Sequence, residues 1–224
     1  MKIHRFDPTA GKYRFELSEI QSAPHAHPAA ECILAREGTF DLTTDAKTYS
    51  KLRYALLPPG ASHQITTRVK GRFELQMVEL FPARTHFPLV CGTDPATMLR
   101  VSEHFLTRTN PPLPDERLNE VLEFLKVPDQ DLLPDLNRLA TRVHLSPSRL
   151  SHLFRAQTGM SLQRYLLWCR LRTTVAHYLH RPDSLRDAAQ RSGFYDNAHL
   201  NRTFRKFFGV APSFAYNSRN GQVD

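Results

Sequence analysis

Asp135-LNRLATRVHLSPSRLSHLFRAQTG-Met160 and Ser184-LRDAAQRSGFYDNAHLNRTFRKFFG-Val210 are two copies of one pattern, and they decide how the last third of this chain folds. Leu136, Ala140 and Leu145 of the first copy match Leu185, Ala189 and Phe194 of the second at an offset of 49 residues. Leu150, Phe154, Gly159 and Met160 match Leu200, Phe204, Gly209 and Val210 at an offset of 50. The one extra residue falls in the turn, where an insertion costs least. Each match has a packing reason. Ala140 and Ala189 let a first helix approach a second, and Leu139 and Val143 extend an apolar stripe at helical spacing. Ser146 suits the N-cap of the second helix and Pro147 its first position. Gly159 and Gly209 stand where a helix closes in a left-handed residue. Two helix-turn-helix units are therefore predicted.

Between them runs Ser161-LQRYLLWCRLRTTVAHYLH, one predicted helix that ends before Arg181-Pro182. About twenty residues give a rod roughly 30 Å long. Successive major grooves on one face of B-DNA lie roughly 34 Å apart, so a stiff spacer of this length suits two reading heads on one duplex. The charge agrees. The chain carries +8 in all; residues 1–128 hold 16 basic and 15 acidic residues, residues 129–224 hold 14 and 7. Thirteen of those 14 are Arg, the residue whose planar fork grips phosphate and guanine edges. A basic domain that coincides with the repeat is the footprint of a double-stranded DNA binder.

Composition bounds the rest. With 224 residues, 41% hydrophobic and 23% charged, there is room for two modest domains. No apolar run reaches the length of a membrane span, and MKIHRFDPTAGKYRFELSE places charges where a signal peptide needs an apolar stretch. Cys32, Cys91 and Cys169 are scattered without a CxxC pair, which argues against a disulfide framework or zinc ribbon and suits a reducing cytoplasm. No phosphate-cradling glycine loop and no serine–histidine nucleophile pattern stands out, so no catalytic residue is assigned and an enzyme is not expected.

Residues 1–90 read as strands. Cys32-ILA, Thr39-FDLTT, Tyr54-ALL and Phe73-ELQMVEL are short alternating or apolar runs between Gly, Pro and Asp turns, the mark of a small antiparallel barrel or sandwich. Over 91–128 the period changes: Pro95-ATMLRVSEHFLTRT and Asp115-ERLNEVLEFLKV are helical stripes broken by Asn110-PPLP. These stripes suit either packing within one subunit or a homodimer surface. Val127-PDQD reads as a polar joint before the double helix-turn-helix region, 129–219, with 220–224 as a tail. The expected fold class is mixed β + α, a small β-barrel followed by an all-α domain.

The repeat, the linking helix with Arg170 and Leu171, and the closing set Gly193-Phe194, Phe204-Arg205-Lys206, Gly209 and Pro212-Ser213 resemble the AraC/XylS family of bacterial transcription regulators. The resemblance is strongest over 131–216. One departure is His144, where the first unit often has glycine. The resemblance implies a ligand-sensing barrel before the DNA-binding half, a small-molecule effector, contact with RNA polymerase, and activation more often than repression. Facing leaves Ser148, Arg149, Ser151, His152 and Arg155 outside the first recognition helix, and Asn197, Ala198, His199, Asn201, Arg202 and Arg205 outside the second. The resemblance places base reading at Ser148, Ser151, His152, Asn197, Ala198, His199 and Arg202, with Arg149 beside them. Asn bridges an adenine edge, Arg a guanine edge, and Ala touches a thymine methyl. Arg155, Arg205 and Lys206, further along, are expected on phosphates.

The N-terminal half has its own pattern. His25, His27, Glu31 and Gly38 fit HxHx3Ex6G, and Pro58, Gly60 and His63 fit PxGxxH. Together they resemble the two cupin motifs, although Glu19 and Leu52 replace the glycines that usually open them. Two histidines two apart on a strand face the same way. Three imidazoles and a carboxylate suit a divalent transition metal. His25, His27, Glu31 and His63 are thus the candidate effector pocket and the candidate metal ligands. Two other readings stand beside a ligand-sensing regulator. One is a metal-dependent cupin enzyme fused to a DNA-binding module. The other is an effector-independent DNA binder whose barrel serves dimerisation.

Overall fold

The computed structural model describes residues 2–84, 88–126, 133–180 and 184–212. The polar joint at 127–131, the Arg181-Pro182 break, Ser213 and the 220–224 tail lie outside the described residues. Within them, the N-terminal half holds nine strands: β1 (Lys2–Asp7), β2 (Lys12–Leu17), β3 (Ala29–Glu37), β4 (Phe40–Thr44), β5 (Thr48–Leu52), β6 (Tyr54–Leu57), β7 (His63–Thr67), β8 (Arg72–Glu79) and β9 (Val90–Gly92). They pair as a six-stranded sheet, β1-β2-β8-β3-β6-β9, and a three-stranded sheet, β5-β4-β7. The expected small barrel or sandwich takes the form of two sheets. The chain turns at Gly38 (φ 84) from β3 into β4 and crosses at Arg53 from β5 into β6. Successive strands thereby fall into different sheets, and among the described residues no ladder closes the ring. Ile33, Ala35, Phe40, Leu42, Leu57, Ile65 and Phe73 fill the space between the sheets. Inward and outward residues alternate along β7, whose burial follows the period of two that a one-sided strand requires.

Seven α-helices follow among the described residues: α1 (Pro95–Glu103), α2 (Glu116–Lys126), α3 (Leu136–Arg142), α4 (Pro147–Thr158), α5 (Leu162–His180), α6 (Leu185–Arg191) and α7 (Asn197–Phe208), with a 3-10 turn at Phe105–Thr107. Their caps are local. Ser146 accepts from the Arg149 amide at 3.2 Å with Pro147 next to it, and Asp135, Ser184 and Asp196 cap the other three helices of the two helix-turn-helix units. Gly159 (φ 80) and Gly209 (φ 67) close α4 and α7 in the left-handed region.

The two turns correspond bond for bond. Leu145 N–H donates to Ala140 O and Phe194 N–H to Ala189 O, both at 3.0 Å. His144 (φ 52) takes the left-handed position that Gly193 (φ 84) fills in the second unit. The extra residue of the second turn is Tyr195, between Phe194 and the cap Asp196, and it is 89% exposed. Helix α5, of 19 residues and roughly 28 Å, is the axle of the domain. One core joins Tyr13, Met77 and Phe81 of the β half to Leu122, Phe154, Trp168, Phe204 and Phe207 of the helices. The halves thus share a core instead of touching at a polar seam. Among the described residues no helix is long and apolar enough to cross a membrane.

Candidate functional site

Helices α4 and α7 present the faces that the apolar spacing assigns. Leu150 and Phe154 of α4 and Leu200, Thr203 and Phe204 of α7 are buried. Ser148, Arg149, His152 and Arg155 are exposed on the first helix, and Asn197, Ala198, Asn201, Arg202, Arg205 and Lys206 on the second. Two candidates are partly engaged within their own unit. The Ser151 hydroxyl donates to Pro147 O at 2.8 Å, and the His199 ring packs edge-on to Phe194 with centroids 5.1 Å apart. Tyr195 is a surface candidate that helical spacing does not single out. Its exposed ring stands just before α7, and the one-residue offset between the repeats is the signal that locates it.

The second site lies between the halves. The segment 20–28 is held to the small sheet by isolated bridges, Gln21 to Thr66 and His25 to His63. The His25–His63 bridge is reciprocal, each amide donating to the other carbonyl at 2.9 Å. It brings the two rings to 4.2 Å between centroids. His27 follows on the same segment, Glu31 projects from β3, and His63 opens β7. All four side chains are buried, and one donor atom from each lies within 4.8 Å of the others. Four residues spread from position 25 to position 63 thus meet in one place, as their motif spacing implies.

Each imidazole is oriented by the backbone. Nδ1 of His25, His27 and His63 sits 2.9 Å from the carbonyls of Ala23, Ala29 and Ala61. A carbonyl only accepts, so each Nδ1 carries the proton and each Nε2 is left to the cluster. Nε2 of His27 and of His63 approach the same Glu31 oxygen, at 3.2 and 2.9 Å. The His63 contact lies off the direction of a good hydrogen bond. Two lone pairs facing one carboxylate oxygen repel unless a proton or a cation intervenes. Burial, with His63 and His27 nearby, pushes the His25 imidazole down to about 3. Burial also opposes charge on His63, yet Glu31 raises its pKa above the ordinary value. For Glu31 itself burial acts upward, and the His27 and His63 contacts overcome it, holding the carboxyl well below the usual range.

Beside this cluster is a cavity of about 100 Å³. Phe15, Leu17, Leu75 and Met77 form its β wall. Val175 and Leu179 of α5, with Phe204, Phe208 and Val210 at the end of α7, form the other. Helix α7 is therefore part of the cavity. It is also tied down there: Ala23 N–H donates to Gly209 O at 2.8 Å. A Cβ on Gly209 would stand 2.3 Å from Ala23 O and 2.7 Å from His25 Nδ1. The first unit docks at the corresponding point. Ala83 N–H donates to Thr158 O at 3.2 Å, and a Cβ on Gly159 would lie 3.0 Å from that nitrogen. Arg164 of α5 adds a bond to Ala26 O at 2.9 Å.

Comparison with known proteins places this geometry. The helix-turn-helix domain family matches residues 139–216. The arabinose operon regulatory protein of Escherichia coli is 31% identical over 116 residues, 52% of this chain and 39% of that protein. The HTH-type transcriptional activator RhaS of Citrobacter koseri is 34% identical over 102 residues, 44% of this chain and 35% of that protein. The chain thus spans well under half the length of these curated relatives. ToxT of Vibrio cholerae, solved with an unsaturated fatty acid bound, is similar along 95% of this chain and 96% of its own, with a TM-score of 0.58 and 11% identity. That likeness concerns the fold, a β-rich half followed by a helical one. With the repeated turns, caps and closing glycines, the family match makes the C-terminal half of this chain a double helix-turn-helix domain, and the chain resembles those two regulators in sequence.

Proposed function

We propose that this chain is a transcription regulator that binds double-stranded DNA through α4 and α7 and senses a small molecule in the cavity between its halves. The observation that carries the reading is the shared wall: Phe204 and Phe208 lie on the same helix as the outward Asn197, Ala198 and Arg202. A ligand larger than a small ring, for which a cavity near 150 Å³ is needed, must move α7 relative to the β half. Binding energy for one arrangement over another then becomes a shift in DNA affinity. The relative named as a transcriptional activator favours activation, and action in the cytoplasm through RNA polymerase belongs to the same proposal. Base reading is assigned to Ser148, Arg149, Ser151, His152, Asn197, Ala198, His199 and Arg202, and phosphate contact to Arg155, Arg205 and Lys206. The stripe of α2 is largely used inside the subunit, since Leu118, Val121, Leu122 and Leu125 join the common core. A homodimer surface there would rest on α1, where Leu99 is exposed.

The histidine cluster fits a divalent transition metal. Nδ1 of each ring is anchored to a carbonyl, Nε2 faces inward, and one carboxylate completes the set. His25, His27, His63 and Glu31 would hold the ion, which would fix His25 and with it the Ala23–Gly209 seat of α7. The direct test is anisotropy with a labelled duplex and the full chain, titrated with salt and with scrambled competitor. A specific complex that persists where the scrambled one is lost is expected; equal affinity for both sequences would overturn the reading.

A further inference from the structure

We infer that the cavity takes a compact organic carboxylate whose head binds through a divalent metal on His25, His27, His63 and Glu31, so that metal and carboxylate bind cooperatively. This rests on the metal reading above and adds the chemical class of the effector.

The lining of the cavity sets the chemistry. Among the described residues it includes no Lys or Arg, and apart from the cluster its one polar side chain is Ser22. A ligand's polar group must therefore meet the histidine–glutamate end, while its body lies against Phe15, Leu75, Phe204 and Phe208. Without metal that end presents no fixed cation, only imidazoles and the Glu31 carboxylate. It then offers an anion no net attraction, and Glu31 repels one. With a divalent ion the balance reverses. The imidazoles offset none of its two charges and Glu31 offsets one, so a single positive charge is left at the head of an apolar pocket. Four protein donors leave room on a metal that accepts five or six ligands. A carboxylate oxygen fills that position and cancels the remaining charge. A neutral alcohol of the same shape gains the apolar contacts but not the charge cancellation. The volume of about 100 Å³ selects a short, branched body over a long chain.

The experiment uses the full chain, stripped with chelator and reloaded with Co²⁺. Calorimetry is run with 3-methylbutanoate and with 3-methylbutan-1-ol, each with and without the ion. The expected result is that Co²⁺ tightens the carboxylate at least tenfold, about 1.4 kcal/mol, and leaves the alcohol within about twofold. Linkage then requires 3-methylbutanoate to tighten Co²⁺ by the same factor, and the cobalt absorption spectrum should change on its addition. Phe208→Trp, which fills the apolar end, should keep Co²⁺ binding and lose the carboxylate. If Co²⁺ binds but the carboxylate is no tighter for it, this inference is wrong and the metal site stands. If Co²⁺ does not bind to the folded protein, the metal reading fails and takes this inference with it. A carboxylate effect that survives Phe208→Trp unchanged would move its site elsewhere and also overturn the inference.

Discussion

Arg172 reaches Glu79 across 93 residues of sequence, its Nη1 lying 2.9 and 2.7 Å from the two carboxylate oxygens in a buried pair. Nη2 of the same guanidinium donates to Leu125 O at 2.9 Å, and the Tyr13 hydroxyl donates to Glu79. One ion pair therefore ties β2, β8, α2 and α5 together at the heart of the junction. Removing one partner leaves a buried charge uncompensated. Glu79→Gln should lower stability by about 3–5 kcal/mol, read as a shift of the urea midpoint. Replacing both residues by leucine should cost less than the single change. A single substitution worth under about 1 kcal/mol would mean that the junction is open in solution.

His144 supplies a prediction of opposite sign. Its φ of 52 is a left-handed conformation that costs a β-carbon-bearing residue roughly 1–2 kcal/mol. Gly193 fills the same place in the second unit without that strain. His144→Gly should raise thermal stability by about 1 kcal/mol, the glycine's extra chain entropy offsetting part of the relief. A lower melting temperature would show that the exposed imidazole has a compensating contact in solution.

Much of the helical half is legible in the sequence, and the reason is locality. Ser146, Pro147, Gly159 and Gly209 act within four residues of themselves, so caps and stops are written where they operate. His25, His27, Glu31 and His63 are recognisable because their spacing is a motif, and β3 and β7 bring them together. The pairing of strands is not legible: short alternating runs fit a closed barrel or two sheets alike, and the ladders choose the latter. The Glu79–Arg172 pair and the Gly209 seat are hidden for the same reason. Each joins segments whose own patterns are complete without the other.

That seat can be tested by hydrogen exchange. The Ala23 amide donates to Gly209 O, so it should exchange slowly in the native protein. Gly209→Ala places a Cβ against Ala23 O and forces the left-handed cap on an alanine. The Ala23 amide should then lose protection while Ala83, seated against the first unit, keeps its own. Protection of Ala23 that is untouched by the substitution would place α7 away from the β half.

Acid stability should depend on Glu74. Its burial favours the neutral acid, but hydrogen bonds from Gln76, Arg14 and Arg36 prevail and lower its pKa below the ordinary value. A carboxyl lowered by folding stabilises the native state above its unfolded pKa and loses that contribution as pH falls through the folded one. Stability should therefore decline below about pH 4, and Glu74→Gln should flatten that decline while lowering stability at neutral pH. Parallel profiles for the two proteins would assign the acid limb to other groups.

That α4 and α7 read one duplex together is tested most directly by selection of bound sites from random double-stranded DNA. The expected consensus is asymmetric, with two base clusters about 10 base pairs apart. Arg202→Ala should relax one position of one cluster at a cost of about 1–3 kcal/mol, whereas Arg155→Ala should weaken all sequences alike. A consensus with a single cluster, or one that Arg202→Ala weakens uniformly, would contradict the two-headed arrangement.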